Sequence, residues 1–259
     1  MLEEVDASPK RSLGQNFVAD PNTVRRIATL AAVGPGDHVV EIGAGLGSLT
    51  LALLETGCRV TAIEIDGALV TVLRRLVEPL GVHVVHADAM SLEWDEIVAP
   101  DESATVVANL PYNVATPLLA DLLDDVPQLT RFLVMVQREV GERLAARPGD
   151  AAYGLPSLKV SYWAHAEVVG KVPATVFVPQ PKVESALVSI TRRPEPAVDA
   201  DPDVLFRLAR AGFGQRRKML RRALAGERTA EQIAAAGVRP EARAEELTLE
   251  EWAALARSG

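Results

Sequence analysis

The sequence predicts an α/β fold, a Rossmann-like and mostly parallel sheet followed by a small C-terminal helical domain. Three observations predict it. From residue 24 to about 136, short β-branched runs alternate with helix-period segments, the pattern of βαβ units. A glycine-rich turn, Gly43, Gly45 and Gly47, joins the first run to the helix after it. Beyond "RRPEPAVDADPD" (192–203), with three prolines, four acids and no periodicity, the chain turns rich in Ala, Leu, Arg and Glu.

The strands follow in order. "DHVVEIG" (37–43), "RVTAIEI" (59–65), "VHVVHAD" (82–88), "TVVANL" (105–110) and "RFLVMVQ" (131–137) are the β-branched runs. "GSLTLALLETG" and "GALVTVLRRLVEPL" are helix-period segments between them. "LPSLKVSYWAHAEVVGKV" and "SALVSITRR" read as further strands, antiparallel at one edge of the sheet. The organisation expected is a catalytic domain over 1–193, a linker over 194–203 and a helical RNA-binding domain over 204–259.

Composition sets bounds. The chain has 259 residues, enough for one large domain and a small one. One cysteine, Cys58, excludes a disulfide within the chain and fits a reducing compartment. No secretory apolar segment and no run of membrane-spanning length is visible, so a cytoplasmic protein is expected, with no membrane partner. The four histidines are too scattered for a metal site. Net charge is −8, which by itself argues against nucleic acid. Its distribution reverses that: Phe206 to Arg228 carries eight bases against Glu227 alone, a local +7 that leaves −15 elsewhere. A segregated basic segment can meet phosphate on an acidic protein, because exposed charges act over about 10 Å at 0.1 M salt. Arg217 and Arg221, four apart on a predicted helix, are its candidate RNA-binding residues, with Gly212 and Gly214 breaking the helix before it. Lys10 and Arg11 are assigned to the same surface.

The glycine turn points to a cofactor. "EIGAGLGSLT" has Ser at position 48, where the dinucleotide fingerprint requires its third glycine. The tighter spacing suits S-adenosylmethionine, which has no pyrophosphate to cradle. Glu64 ends the second strand 21 positions after Gly43, where an acid faces the crevice and can accept from ribose hydroxyls. Asp88 ends the third strand and can accept from the cofactor's adenine amine. Each acid, read alone, could equally cap a helix.

The fourth strand ends in Asn109-Leu110-Pro111-Tyr112. An exocyclic amine of adenine is a poor nucleophile, because its lone pair is delocalised into the ring. The Asn109 side-chain oxygen and the Leu110 carbonyl can accept its two hydrogens. Pro111, without an amide hydrogen, fixes the turn that aims that carbonyl. Tyr112 offers a face for stacking. Catalysis then rests on positioning and electrostatics, with no covalent intermediate.

Together "KRSLGQNFVAD" (10–20), "EIGAGLGSLT" (41–50), "EID" (64–66), "DAM" (88–90), "NLPYN" (109–113), "VQREVGERL" (136–144), "VFVPQPKVESALV" (176–188) and "FGQRRKMLRRAL" (213–224) resemble the small-subunit (16S) ribosomal RNA adenine dimethyltransferases, relatives of the macrolide-resistance ribosomal RNA methyltransferases. The resemblance covers nearly the whole chain. It implies an S-adenosylmethionine-dependent methyltransferase sheet. It also implies that Asn16 and Val18 line the cofactor pocket with Gly43, Gly45, Glu64, Asp88 and Asn109. Phe177, which read alone is a core ring, would stack on the target base opposite Tyr112. The implied substrate is a pair of adjacent adenosines near the 3′ end of small-subunit RNA, in a partly assembled subunit, modified by a monomer. Ala44 stands where the family usually has proline, Val18 where it has leucine, and "YGLPSLKV" lacks the family's arginine after Tyr-Gly. Two other readings remain open: an enzyme of the resistance branch acting on large-subunit RNA, and a non-catalytic ribosome-assembly factor. A nicotinamide dehydrogenase is disfavoured by the failed glycine spacing.

Overall fold

Strand β2 (His38–Ile42) is buried at every position, as a strand covered on both faces must be. In the computed structural model, which describes residues 15–112 and 114–258, it lies inside a seven-stranded sheet. On one side β2 pairs in parallel with β3 (Arg59–Glu64), and β3 with β4 (His83–His86). On the other side it pairs in parallel with β5 (Ala104–Asn109), and β5 with β6 (Leu129–Gln137). Then β9 (Ser185–Arg192) joins β6 antiparallel, and β7 (Ala164–Val172) forms the far edge. The chain thus steps outward from β2 to β4 and restarts at β5 on β2's other side. That reversal opens a crevice at the carboxyl ends of β2 and β5, the general ligand site of such sheets. The expected Rossmann-like fold class is borne out.

The helices between strands begin where the sequence supplies caps. Asp20 accepts from the backbone N–H groups of Asn22 and Thr23, and Pro21 opens α1 (Pro21–Ala31). Asp66 caps α3 (Gly67–Val77) by accepting from Ala68 N–H. Between them α2 (Ser48–Leu54) starts directly at the glycine turn. Helix α4 (Ala115–Asp125) follows the Asn-Leu-Pro-Tyr turn. Its C-terminal end is clasped by the half-buried Arg192 guanidinium, which donates to the carbonyls of Leu122, Leu123, Val126 and Leu129 at 2.8 to 3.0 Å. A cation there satisfies orphaned carbonyls and complements the helix dipole. A short ribbon pairs β1 (Phe17–Val18) with β8 (Phe177–Val178), antiparallel.

Contacts divide the chain into two compact units. One holds the chain through Gly141 together with Glu167–Arg192; the other holds Glu142–Ala166 and the chain from Arg193 onward. The second unit therefore includes 142–166, which the sequence suggests placing with the catalytic domain. The reason lies in its core. Tyr153, Leu158 and Tyr162 are buried with Leu205, Leu208, Leu220 and Trp252 in one apolar cluster. That unit holds α6 (Leu155–Trp163), α7 (Pro202–Gly214), α8 (Leu220–Ala223), α9 (Ala230–Ala235) and α10 (Leu249–Arg257). Helix α5 (Arg138–Leu144) spans the division.

Three expectations are corrected here. Residues 155–163 form a helix, not a strand. Buried Leu158, Val160 and Tyr162 alternate with Lys159, Ser161 and Trp163, which imitates a strand's period of two. The backbone N–H of Gly154 bonding to Ser157 Oγ, with Pro156 in the first turn, starts a helix instead. Gly212 does not break α7; the helix runs to Gly214. A Cβ at Gly212 would lie 2.7 Å from Trp252 Cη2, so the glycine makes room for a buried indole. Finally, Arg217 and Arg221 do not share a helix. Arg217 lies in the turn after α7, and Arg221 in the four-residue α8.

Candidate active site

The glycine turn and Glu64 are built as one object. Gly43, Gly45 and Gly47 have φ of 76°, 58° and 82°. At Gly45 both conformation and space demand glycine, since a Cβ would lie 2.9 Å from the Phe17 ring. Gly45 N–H donates to Glu64 Oε2 at 2.8 Å, and Asp66 N–H donates to Oε1 at 2.8 Å. The carboxyl at the end of β3 is thereby held against the loop that follows β2. It is 5% exposed. Burial pushes its pKa above the usual carboxylate value, against the lowering effect of those backbone donors. Asp88 lies two residues past β4; it is exposed and uses Oδ1 to accept from Met90 N–H at 3.0 Å. It caps the short turn that follows, and it lines neither of the cavities described below.

The Asn-Leu-Pro-Tyr turn is pinned to three neighbours. Ile42 and Ala108 are register partners, which brings Gly43 beside Asn109 across the switch point. The Asn109 Nδ2 amide donates to the Asn16 carbonyl at 2.8 Å. Leu110 N–H donates to Met135 O at 3.0 Å, and the Leu110 side chain is 1% exposed. The Tyr112 hydroxyl meets Ser185 Oγ at 3.1 Å. Pro111 O accepts from the N–H groups of Val114 and Ala115, which turns the chain into α4. Among the described residues, no donor occupies the Leu110 carbonyl.

These pieces converge on a cavity of about 70 Å³, lined by Gly43, Gly45, Glu64, Asn109, Leu110, Pro111 and Tyr112, with Gln15, Asn16, Phe17 and Ile65. A second cavity of about 540 Å³ adjoins it through Phe17, Gly43 and Asn109, and Val18 lines that one. Phe177 is placed differently from its sequence neighbours. It is 2% exposed, packed in the core and paired with Val18, and lines neither cavity. Lys10 and Arg11 lie outside the described residues. Arg221 is exposed and 3.5 Å from Glu241, while Arg217 is exposed in its turn.

Sequence reasoning missed three participants. Phe17 covers the glycine turn, and its only signal is its place in "GQNF". Ser185 supports Tyr112 from the first position of β9, and nothing local marks it. Glu41, in β2 two residues before Gly43, is 2% exposed, accepts from Thr50 Oγ1 at 2.5 Å and lines the larger cavity. Burial raises its pKa to about 8. An acid inside an otherwise apolar buried strand was the signal available for it.

The donor set suits S-adenosylmethionine. A buried acid is fixed at the second strand end, an exposed acid stands at the third, and a glycine turn admits close backbone approach. Among the described residues no cluster of metal-ligating side chains occurs, and no helix is long and apolar enough to cross a membrane.

Comparison with known proteins agrees with this geometry. The model of the family described as ribosomal RNA adenine dimethylase matches residues 7–258. A ribosomal RNA small subunit methyltransferase A from Kineococcus radiotolerans is 48% identical, over 99% of this chain and 88% of that protein. A dimethyladenosine transferase from Plasmodium falciparum shares the fold with a TM-score of 0.76 at 24% identity, over 92% of this chain and 95% of that one. The 23S rRNA methyltransferase ErmE gives a TM-score of 0.69 at 27% identity, over 93% of this chain and 98% of that one. A match over almost the whole length, with the glycine turn, Glu64 and the Asn-Leu-Pro-Tyr turn gathered at one switch point, means that this chain belongs to the ribosomal RNA adenine dimethylase family.

Proposed function

We propose that the protein transfers methyl groups from S-adenosylmethionine to the exocyclic amines of two adjacent adenosines near the 3′ end of small-subunit ribosomal RNA. The observation that carries this reading is the orientation of the Asn109 amide. Its nitrogen end is spent on the Asn16 carbonyl, so its oxygen is the end left for a donor in the cavity. An amine with two hydrogens is such a donor.

Glu64 would hold the cofactor ribose and Asp88 its adenine amine, with the backbone around Gly43 and Gly45, and Asn16 and Val18, lining the rest of its pocket. The cofactor supplies a methyl carbon made electrophilic by a sulfonium. Asn109 Oδ1 and Leu110 O accept the target amine's hydrogens and direct its lone pair at that carbon. As the nitrogen–carbon bond forms, the carbon–sulfur bond breaks and a neutral thioether would leave; positive charge grows on the nitrogen, both oxygens stabilise it, and one N–H proton then passes to water. Tyr112 stacks on the base, which must leave its own stack to enter. A dimethylated amine has no hydrogen to give, so the same two oxygens lose their partner and the product is released. Phe177 serves as the second stacking ring only if it leaves its core position.

Several features support the setting. The basic segment around Arg217 and Arg221, with Lys10 and Arg11, supplies phosphate contacts. The partly assembled small subunit is the substrate the family resemblance implies, acted on by a monomer. A single buried cysteine fits the cytoplasm. The greater identity to a small-subunit enzyme than to ErmE favours small-subunit RNA over the large-subunit alternative.

Labelled methyl transfer tests the reading. Small subunits lacking the mark should accept methyl groups, naked large-subunit RNA should accept few, and Asn109→Ala should slow transfer by about 10²- to 10³-fold. No incorporation into small subunits would overturn it. Absence of saturable S-adenosylmethionine binding by calorimetry would favour the non-catalytic assembly factor.

A further inference from the structure

Tyr112 does not stand alone. Its hydroxyl lies 3.1 Å from Oγ of Ser185, a residue with 0% exposure at the first position of β9. Ser185 is the register partner of Gln137, the last residue of β6, and Met135 of the same strand accepts from Leu110 N–H. The turn after β5 is therefore tied to β6 by its backbone and to β9, one strand farther, by the tyrosine hydroxyl. Tyr112 itself is half-buried and lines the small cavity with Asn109 and Leu110. A ring at the end of a strand has two side-chain torsions to fix. Leu110 and Pro111 fix the backbone beneath it, but not the ring. Among the described residues, the serine hydroxyl is the polar partner at the ring's far end.

We infer that Ser185 is a positioning residue for methyl transfer: its buried hydroxyl holds the Tyr112 ring in the plane on which the target adenine stacks. This inference rests on the proposed reading of the site. Ser185 touches neither base nor cofactor. Its effect runs through the tyrosine hydroxyl, and it belongs to the base half of the reaction. Removing the hydroxyl leaves Tyr112 to bond with water and to sample other orientations. A reacting base displaced by an ångström loses a large part of its rate, up to about a hundredfold.

The test is a double-mutant cycle on the full chain, with small subunits lacking the mark as substrate. Ser185→Ala and Tyr112→Phe each break the same hydrogen bond from opposite ends, and Phe at 112 keeps the stacking face. Each should lower kcat/KM for the RNA by roughly tenfold, leave S-adenosylmethionine affinity within about twofold, and leave thermal unfolding little changed. The double variant should be no worse than either single one. Multiplying defects, or a loss of cofactor affinity in Ser185→Ala equal to the loss of rate, would overturn the inference and leave Ser185 a packing residue. If Ser185→Ala is too unstable to assay, Tyr112→Phe alone decides, since wild-type rates in it contradict the tether. Asn109→Ala separates the two levels. Wild-type activity there sinks the site reading itself, whereas a slowed Asn109→Ala beside multiplying Ser185 and Tyr112 defects sinks the tether alone.

Discussion

The Asn109 side chain donates from Nδ2 to the backbone carbonyl of Asn16, at 2.8 Å across 93 positions of sequence. The bond does two things. It fixes which end of the amide faces the cavity, and it ties the segment before β1 to the wall of that cavity.

Asn109→Ala removes an acceptor that strengthens as charge builds on the target nitrogen. Steady-state kinetics should show kcat reduced by about 10²- to 10³-fold, the usual effect of losing one preorganised hydrogen-bonding group. Cofactor affinity should change far less. Asn109→Asp should be equally impaired, because a carboxylate cannot donate to the Asn16 carbonyl and must turn away from it.

Glu64 predicts a pH dependence. Its carboxyl titrates above the usual value because it is buried, and it must be ionised to accept from the ribose while holding Gly45 and Asp66. Calorimetric titration with S-adenosylmethionine should show affinity rising as pH rises through that raised pKa. Glu64→Gln should weaken binding by roughly 10- to 100-fold, the worth of a charged hydrogen bond, and flatten the profile. An unchanged pH profile in Glu64→Gln would remove the acid from the cofactor site.

Glu41 predicts a different one, in stability. In the folded protein its pKa is raised from 4.5 to about 8. The folded state then binds the proton more tightly than the unfolded state. Stability is fully present below pH 4.5 and is lost as pH climbs through 8. The loss is on the order of a few kcal/mol. Glu41→Gln keeps an acceptor for Thr50 Oγ1 and carries no titrating proton. Thermal unfolding of the ligand-free protein should show the variant gaining on wild type from pH 6 to 9, with the difference vanishing near pH 4.

The basic segment predicts a salt effect. Arg217→Ala should weaken RNA binding, and each lost phosphate contact should flatten the slope of log K against log salt by about 0.7 to 0.9. Arg221→Ala should do less, because its guanidinium already lies 3.5 Å from Glu241. Equal slopes in wild type and Arg217→Ala would mark the segment as a solvated surface.

What was legible in the sequence follows from the range of each signal. Parallel strands such as "HVVEI" and "ATVVAN" carry their burial in their own residues, so the sheet and the strand-end positions of Gly43, Glu64 and Asn109 could be read directly. The mistaken strand over 155–163 came from alternating residues whose neighbours lie in α7 and α10, a context that local period does not contain. Gly212 looked like a breaker because its reason, the Trp252 ring, lies 40 positions on. Ser185 and the Asn16 carbonyl stayed hidden for the same cause: a tether across the sheet, or a backbone atom, has no residue-type signature.

The central claim is that Asn109 Oδ1 and Leu110 O receive the hydrogens of the adenine amine. A crystal structure of the protein with S-adenosylhomocysteine and an adenosine-containing RNA tests it most directly. The account predicts the amine nitrogen within about 3.2 Å of both oxygens, with its open side toward the cofactor sulfur. An amine nitrogen beyond about 4 Å from both, in a complex competent for transfer, would contradict it.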